Sequence, residues 1–227
     1  MDIKREKMKK LEVAIILFAA LFCLASAVSA DVLYDNLSSP SYGVDPLTSL
    51  AGWGPPLFNS FSTGPSGFNL VDVKLLLTGR TSPGFLSVSV YTDSSTLPGV
   101  PLLTIGTLSD NALPSTLSAV DFALGSPYAL APNTRYWLVL DSLNSTNIST
   151  VLWSWSLDQS AVGVAGEYFG HESVAFLNTV GPYQMGLSGT SAAPDPPPTS
   201  ATPEPATMIL LGSGLIGVLG LKRKLRK

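Results

Sequence analysis

Charge is scarce in this chain. Only 13% of its 227 residues are Asp, Glu, Lys or Arg, about half the share of an ordinary soluble domain. The cations are scarcest where a nucleic-acid ligand would need them. Residues 31–202 hold only Lys74, Arg80 and Arg135 against twelve acids, a net −9. Phosphate neutralisation needs clustered Lys and Arg, so nucleic acid is excluded as a partner. Cysteine is limited to Cys23, inside an apolar run near the N-terminus. Removal of that run leaves no thiol for a disulfide or a thiolate metal site. Histidine is limited to His171, and one imidazole without a thiol does not make a zinc centre. There is no P-loop, no dinucleotide fingerprint and no G-x-S-x-G elbow. Glutamate occurs only twice between residues 31 and 190, as Glu167 and Glu172. No stretch carries a sustained 3.6-residue apolar period, which excludes a helical body.

Glycine (20) and proline (18) are abundant, and the basic residues sit at the two ends. At the N-terminus a basic stretch, Met1–Lys10, precedes an apolar run from Val13 to about Ala25 and the small residues Val28-Ser29-Ala30. These are the three parts of a secretory signal, with cleavage by signal peptidase placed after Ala30 and Ala27 as the near alternative. An uncleaved anchor is the other reading, although so short an apolar run rarely spans a bilayer. Phe22 before Cys23 excludes a lipoprotein signal, which needs a small residue there.

At the C-terminus, Ala206–Leu221 carries no charge and is followed by Lys222, Arg223, Lys224, Arg226 and Lys227. As a helix this run reaches about 24 Å, somewhat short of a ~30 Å hydrocarbon core. Snorkelling of Lys222 and Arg223 covers the difference. The basic cluster acts as a membrane stop and stays cytoplasmic, leaving the body outside. Upstream, residues 191–202 form a Pro-rich linker that reaches about 35–40 Å if extended.

The tail, Pro203-Glu204-Pro205 followed by a Gly- and Leu-rich span and a Lys/Arg cluster, resembles a PEP-CTERM sorting signal. The resemblance covers about the last 25 residues. It implies recognition by an exosortase, a membrane-embedded processing enzyme of bacteria that make exopolysaccharide. Cleavage near Pro203-Glu204-Pro205 would follow, and with it delivery to the cell surface or extracellular matrix. Two prolines around Glu204 disfavour helix and offer an extended segment to a protease cleft. The alternative is a plain single-pass anchor.

Between the ends, residues 31–190 are enough for one hydrophobic core. Short β-rich runs alternate with turn signals. Strands are predicted over 32–37, 57–62, 68–77, 85–91, 102–108, 119–124, 136–140, 151–157, near 174–177, and over 183–187. Nine or ten strands at this spacing predict an all-β, jelly-roll-like β-sandwich. Leu97-Pro98-Gly99 reads as a tight turn, and Pro132-Asn133-Thr134 as the lead into a strand. In Val151–Leu157 the alternation puts Val151, Trp153, Trp155 and Leu157 together on the core face.

The phrases LYDNL (Leu33–Leu37), VSVYTDSSTLPGVPLLTIGTLSD (Val88–Asp110), LAPNTRYWLVLD (Leu130–Asp141) and YQMGLSGT (Tyr183–Thr190) resemble the choice-of-anchor R domain. That resemblance implies a surface-displayed β ectodomain and supplies no active-site residues.

Candidate chemistry is thin. Glu167-Tyr168-Phe169-Gly170-His171-Glu172 gathers both glutamates, an aromatic pair and the histidine, and reads as an exposed polar loop or as the acid set of a hydrolase. Asp93-Ser94-Ser95 and Asp141–Asn147 offer hard oxygen ligands, so a structural Ca2+ is the one cofactor with residues to hold it. Trp53, Trp137, Trp153 and Trp155, with Tyr168 and Tyr183, supply rings for a lectin-like site, although Trp137 and Trp153 read better as core and Trp53 as exposed. No catalytic residue is assigned. The expectation is a non-enzymatic surface protein with a structural or adhesive role towards exopolysaccharide or biofilm, the alternative being a secreted polysaccharide hydrolase or carbohydrate-binding module.

Overall fold

A computed structural model describes residues 30–47, 55–79, 84–143 and 151–192. Twelve strands run in chain order: β1 (Asp31–Asp35), β2 (Gly43–Pro46), β3 (Leu57–Ser62), β4 (Phe68–Thr78), β5 (Phe85–Asp93), β6 (Pro98–Ser109), β7 (Ser118–Leu130), β8 (Arg135–Ser142), β9 (Leu152–Trp155), β10 (Tyr168–His171), β11 (Val174–Leu177) and β12 (Met185–Ser191). The expected all-β body is present, and the described residues form two six-stranded antiparallel sheets. The expected signal peptide lies outside the described residues apart from Ala30, which is exposed. The expected helix over 206–221 lies outside them too. Among the described residues no helix is long and apolar enough to cross a membrane.

One sheet runs β1-β12-β4-β9-β2, with β7 on the other side of β4; the second runs β11-β10-β3-β8-β5-β6. Without the short strands β2, β9, β10 and β11, the orders are β1-β12-β4-β7 and β3-β8-β5-β6. This is the interleaving of an eight-stranded jelly roll. Alternation sets the inner faces. Leu86, Val88 and Val90 of β5 and Tyr136, Leu138 and Leu140 of β8 point into the main core. There they meet Leu70, Val73, Leu75 and Leu77 of β4. The parity of β4 changes after Leu70 because Val71 is a bulge residue: against β12, Leu70 pairs Gly189 and Asp72 pairs Ser188, with Val71 unmatched and exposed.

Several strands are longer than predicted. β6 begins at Pro98, so the turn is Ser94–Leu97, closed by Ser94 N–H to the Leu97 carbonyl at 2.8 Å. β7 continues six residues past Leu124, to Leu130. The core face of 151–157 is also corrected. Val151 and Trp153 are buried, but Trp155 is half-buried and Leu157 is 44% exposed. Ser154 and Ser156, assigned to the other face, are buried as well. Strand pairing ends at Trp155, and the chain then leaves the sheet, so alternation stops predicting burial there.

The last strand, β12, lies between β1 and β4, and the Ser191 N–H donates to the Asp31 carboxylate at 2.9 Å. The body therefore closes by pairing its first strand with its last. Close approach at that seam requires Gly189. A Cβ there would overlap the Asn69 carbonyl oxygen and lie 2.8 Å from a Phe68 ring carbon. Gly189→Ala is expected to cost about 2–3 kcal/mol, read as a lower urea midpoint at unchanged slope.

Candidate functional site

The second sheet has two apolar faces, one more than a soluble sandwich needs. Its inner face joins the main core. On its outer face Phe58, Trp137 and Val139 form a separate buried cluster, flanked by Tyr91, Leu97, Tyr168 and Ala175. Register builds this cluster. Phe58 stands opposite Val139, Ser60 opposite Trp137, and Trp137 opposite Tyr91. Phe58 meets Trp137 edge-on at 5.3 Å, and the Trp137 indole N–H donates to Asp93 Oδ1 at 2.8 Å. The expected core role of Trp137 thus holds in a cluster of its own. Trp153 lies in the main core, stacked on Tyr183 at 4.5 Å. Trp53 lies outside the described residues.

Arg135 organises the edge of this face. Its Nε donates to Glu167 Oε2 at 3.2 Å, its Nη2 donates to the Gly166 carbonyl at 3.3 Å, and its guanidinium lies 4.8 Å from the centre of the Tyr168 ring. Ser60 Oγ donates to the same Glu167 oxygen and accepts from the Tyr168 N–H. The Glu167 side chain is 6% exposed and that of Arg135 28%. A carboxylate so far out of water is sustained by its guanidinium and hydroxyl partners.

The 167–172 segment is therefore not an exposed polar loop. It is the lead-in and strand of a hairpin. β10 pairs β3 on one side and β11 on the other, with Glu172-Ser173 as a two-residue turn and Glu172 at φ +51°. The two glutamates stand at opposite ends of β10, Cα atoms about 16 Å apart at ~3.3 Å per residue. Glu167 is turned to Arg135 and Ser60, while Glu172 is exposed. His171 is buried and stacked with Phe176. The signal for β10 was present in the sequence: the aromatic pair Tyr168-Phe169 and the apolar run Val174–Leu177 are separated by four residues that include Gly170, a hairpin pattern. The acids and the histidine obscured it.

A second polar cluster closes the other side of the main core. Tyr183 O–H donates to Asp45 Oδ2 at 2.8 Å, and Tyr183 meets Phe169 edge-on at 5.7 Å. Burial raises the Asp45 carboxyl above its ordinary 3.8, against the hydrogen bonds from Tyr183 and Trp155. Folding therefore favours the protonated acid. That contribution is complete below the unfolded value and is lost as pH rises through the raised folded value. Asp45→Asn keeps an acceptor for Tyr183 and stays neutral. Its melting temperature relative to wild type is expected to rise between pH 3 and pH 7; a pH-independent difference would exclude this assignment.

Of the two oxygen-rich segments, Asp93 is engaged by Trp137, and Asp141 Oδ1 accepts the Ser142 N–H at 2.8 Å. Residues 144–147 lie outside the described residues. Among the described residues no group of three or more His, Cys, Asp or Glu side chains is placed to hold a metal.

Comparison with known families assigns the tail. Residues 201–224 match the family model of the PEP-CTERM protein-sorting motif, 24 residues of the 227. The match includes Pro203, Glu204, Pro205, Lys222, Arg223 and Lys224; Arg226 and Lys227 follow it. The motif indicates an extracellular protein sorted by an exosortase. No curated protein matches the chain.

Proposed function

We propose that this chain is a non-enzymatic ectodomain of the choice-of-anchor R type, with a structural or adhesive role in an exopolysaccharide matrix. In this reading signal peptidase removes residues 1–30. A helix over 206–221 holds the chain in the inner membrane with Lys222, Arg223, Lys224, Arg226 and Lys227 on the cytoplasmic side. The exosortase then acts near Pro203-Glu204-Pro205, and the body passes to the cell surface or the matrix. The observation that carries the reading is the sorting motif at residues 201–224. The sandwich supports it: a jelly roll closed by its own last strand suits a module displayed from its C-terminal side. A non-catalytic role is supported by Glu167, whose carboxylate is held by Arg135 and Ser60.

The test is binding without turnover. The full chain, solubilised in mild detergent, should be retained on immobilised exopolysaccharide from the producing cell and release no reducing ends from it. Turnover that disappears in Glu167→Gln or Glu172→Gln would establish the hydrolase instead.

A further inference from the structure

Where β5 ends, β8 begins and β7 returns, the body has a cleft of about 520 Å3 that includes Thr92, Asp93, Leu102, Tyr128, Asn133 and Arg135 in its lining. That volume lies within the ~300–1,000 Å3 usual for small-ligand sites. The structure builds the cleft from fixed parts. Asn133 sits at φ +48°, held there by its N–H bond to the Gly64 carbonyl at 2.9 Å. Thr63 Oγ1 bonds the Ala131 carbonyl at 2.6 Å and fixes the same turn. Asp93 is held by the Trp137 indole and Arg135 by Glu167.

The polar atoms left over are of a particular kind. Asp93 uses Oδ1 for Trp137, and among the described residues its Oδ2 takes no donor. Arg135 uses Nε and Nη2, and among the described residues its Nη1 has no acceptor. Thr92 Oγ1 accepts the Val100 N–H at 2.8 Å and keeps its own proton to donate. The exposed Asn133 amide can both donate and accept. Beside these lie the half-buried Tyr128 ring and Leu102. A pyranose presents the complement: a rim of hydroxyls that donate and accept, around an apolar C–H face that packs on an aromatic ring. Charge selects among sugars. The Arg135 charge is matched by Glu167 at 3.2 Å, Asp93 adds a carboxylate, and residues 31–202 carry −9. A polyuronate is repelled by such a surface, whereas a neutral chain is not.

We infer that this cleft binds neutral hexose units of a polysaccharide, with Tyr128 packing on the sugar face and Asp93, Asn133 and Arg135 bonding its hydroxyls. The inference rests on the reading of the body as a polysaccharide-binding module, and names its site. The test uses the full chain in mild detergent and titrates cellohexaose, laminarihexaose, dextran and an alginate oligomer by calorimetry, beside the producing cell's own exopolysaccharide. At least one neutral glycan is expected to bind. Tyr128→Ala and Asn133→Gly are each expected to weaken it at least tenfold, and Asp121→Asn, seven residues from Tyr128 on β7 and paired with Lys74, to leave it unchanged. Asn133→Gly is the decisive variant, because glycine accepts the positive φ and the fold is kept. Binding of a neutral glycan undiminished in Asn133→Gly and Tyr128→Ala overturns the cleft and leaves the polysaccharide reading standing. Binding of alginate alone overturns the preference for neutral sugars. No binding to any of the five overturns both.

Discussion

Replacing Pro203-Glu204-Pro205 by three alanines is expected to bring surface delivery to background while the full-length chain accumulates in the membrane fraction. The expectation follows from the residues. Two prolines around Glu204 disfavour helix and favour an extended segment, the form expected of a protease substrate. Alanine is the best helix former, so the substitution removes the local bias of the sequence towards an extended segment. Anchoring is expected to survive, because Ala206–Leu221 and the basic residues after it are untouched. Fractionation with an antibody to the body reads both effects. Normal surface delivery of the triple-alanine chain would remove these residues from the processing step.

Arg135→Ala is expected to cost about 3 kcal/mol of stability, the low end of the range for orphaning a buried charge, since Arg135 keeps 28% of its side chain in water. The loss has one main source. Glu167, 6% exposed, would be left with Ser60 as its remaining side-chain partner. Removing both charges should be milder. Arg135→Met with Glu167→Leu is expected to recover at least half of the loss, because no buried carboxylate is left behind. Urea unfolding of the two single variants and the double variant measures the coupling. Additive losses would show that the pair acts as two independent contacts.

The fold was legible in the sequence where alternation and turn chemistry agree. Phe85–Asp93 shows it: Leu86, Val88 and Val90 enter the main core, and of the two serines between them Ser87 is half-buried and Ser89 is buried away from that core. The pattern fails where the environment stops being two-sided. β3 reads Leu-Phe-Asn-Ser-Phe-Ser, and its first five residues are buried because the outer face is also covered. No alternation rule announces a second cluster such as Phe58, Trp137 and Val139. β2 (Gly43–Pro46) was not predicted, since glycine, aspartate and proline are poor strand formers; pairing to β9 holds it in place. β10 was obscured for the opposite reason, its flanking acids and histidine suggesting a site where the structure has a hairpin.

The Arg135–Glu167 pair was not legible at all. Thirty-two residues separate the partners, and only the β3–β8 and β3–β10 pairings bring them together. The sorting motif was legible, because it is written in contiguous residues, which a family model matches at 201–224. Chemistry written in contiguous residues could thus be read directly, while chemistry assembled across strands could not.

The central claim is that the chain is exported, sorted through its tail and released as a β-sandwich. Intact-mass analysis of the protein from the cell surface, in cells with an active exosortase and in cells lacking it, tests this most directly. With the exosortase, the mass should correspond to a chain that starts after Ala30 and ends near Pro205. Without it, the chain should retain Lys227. Full-length protein ending at Lys227 in both strains would contradict the account.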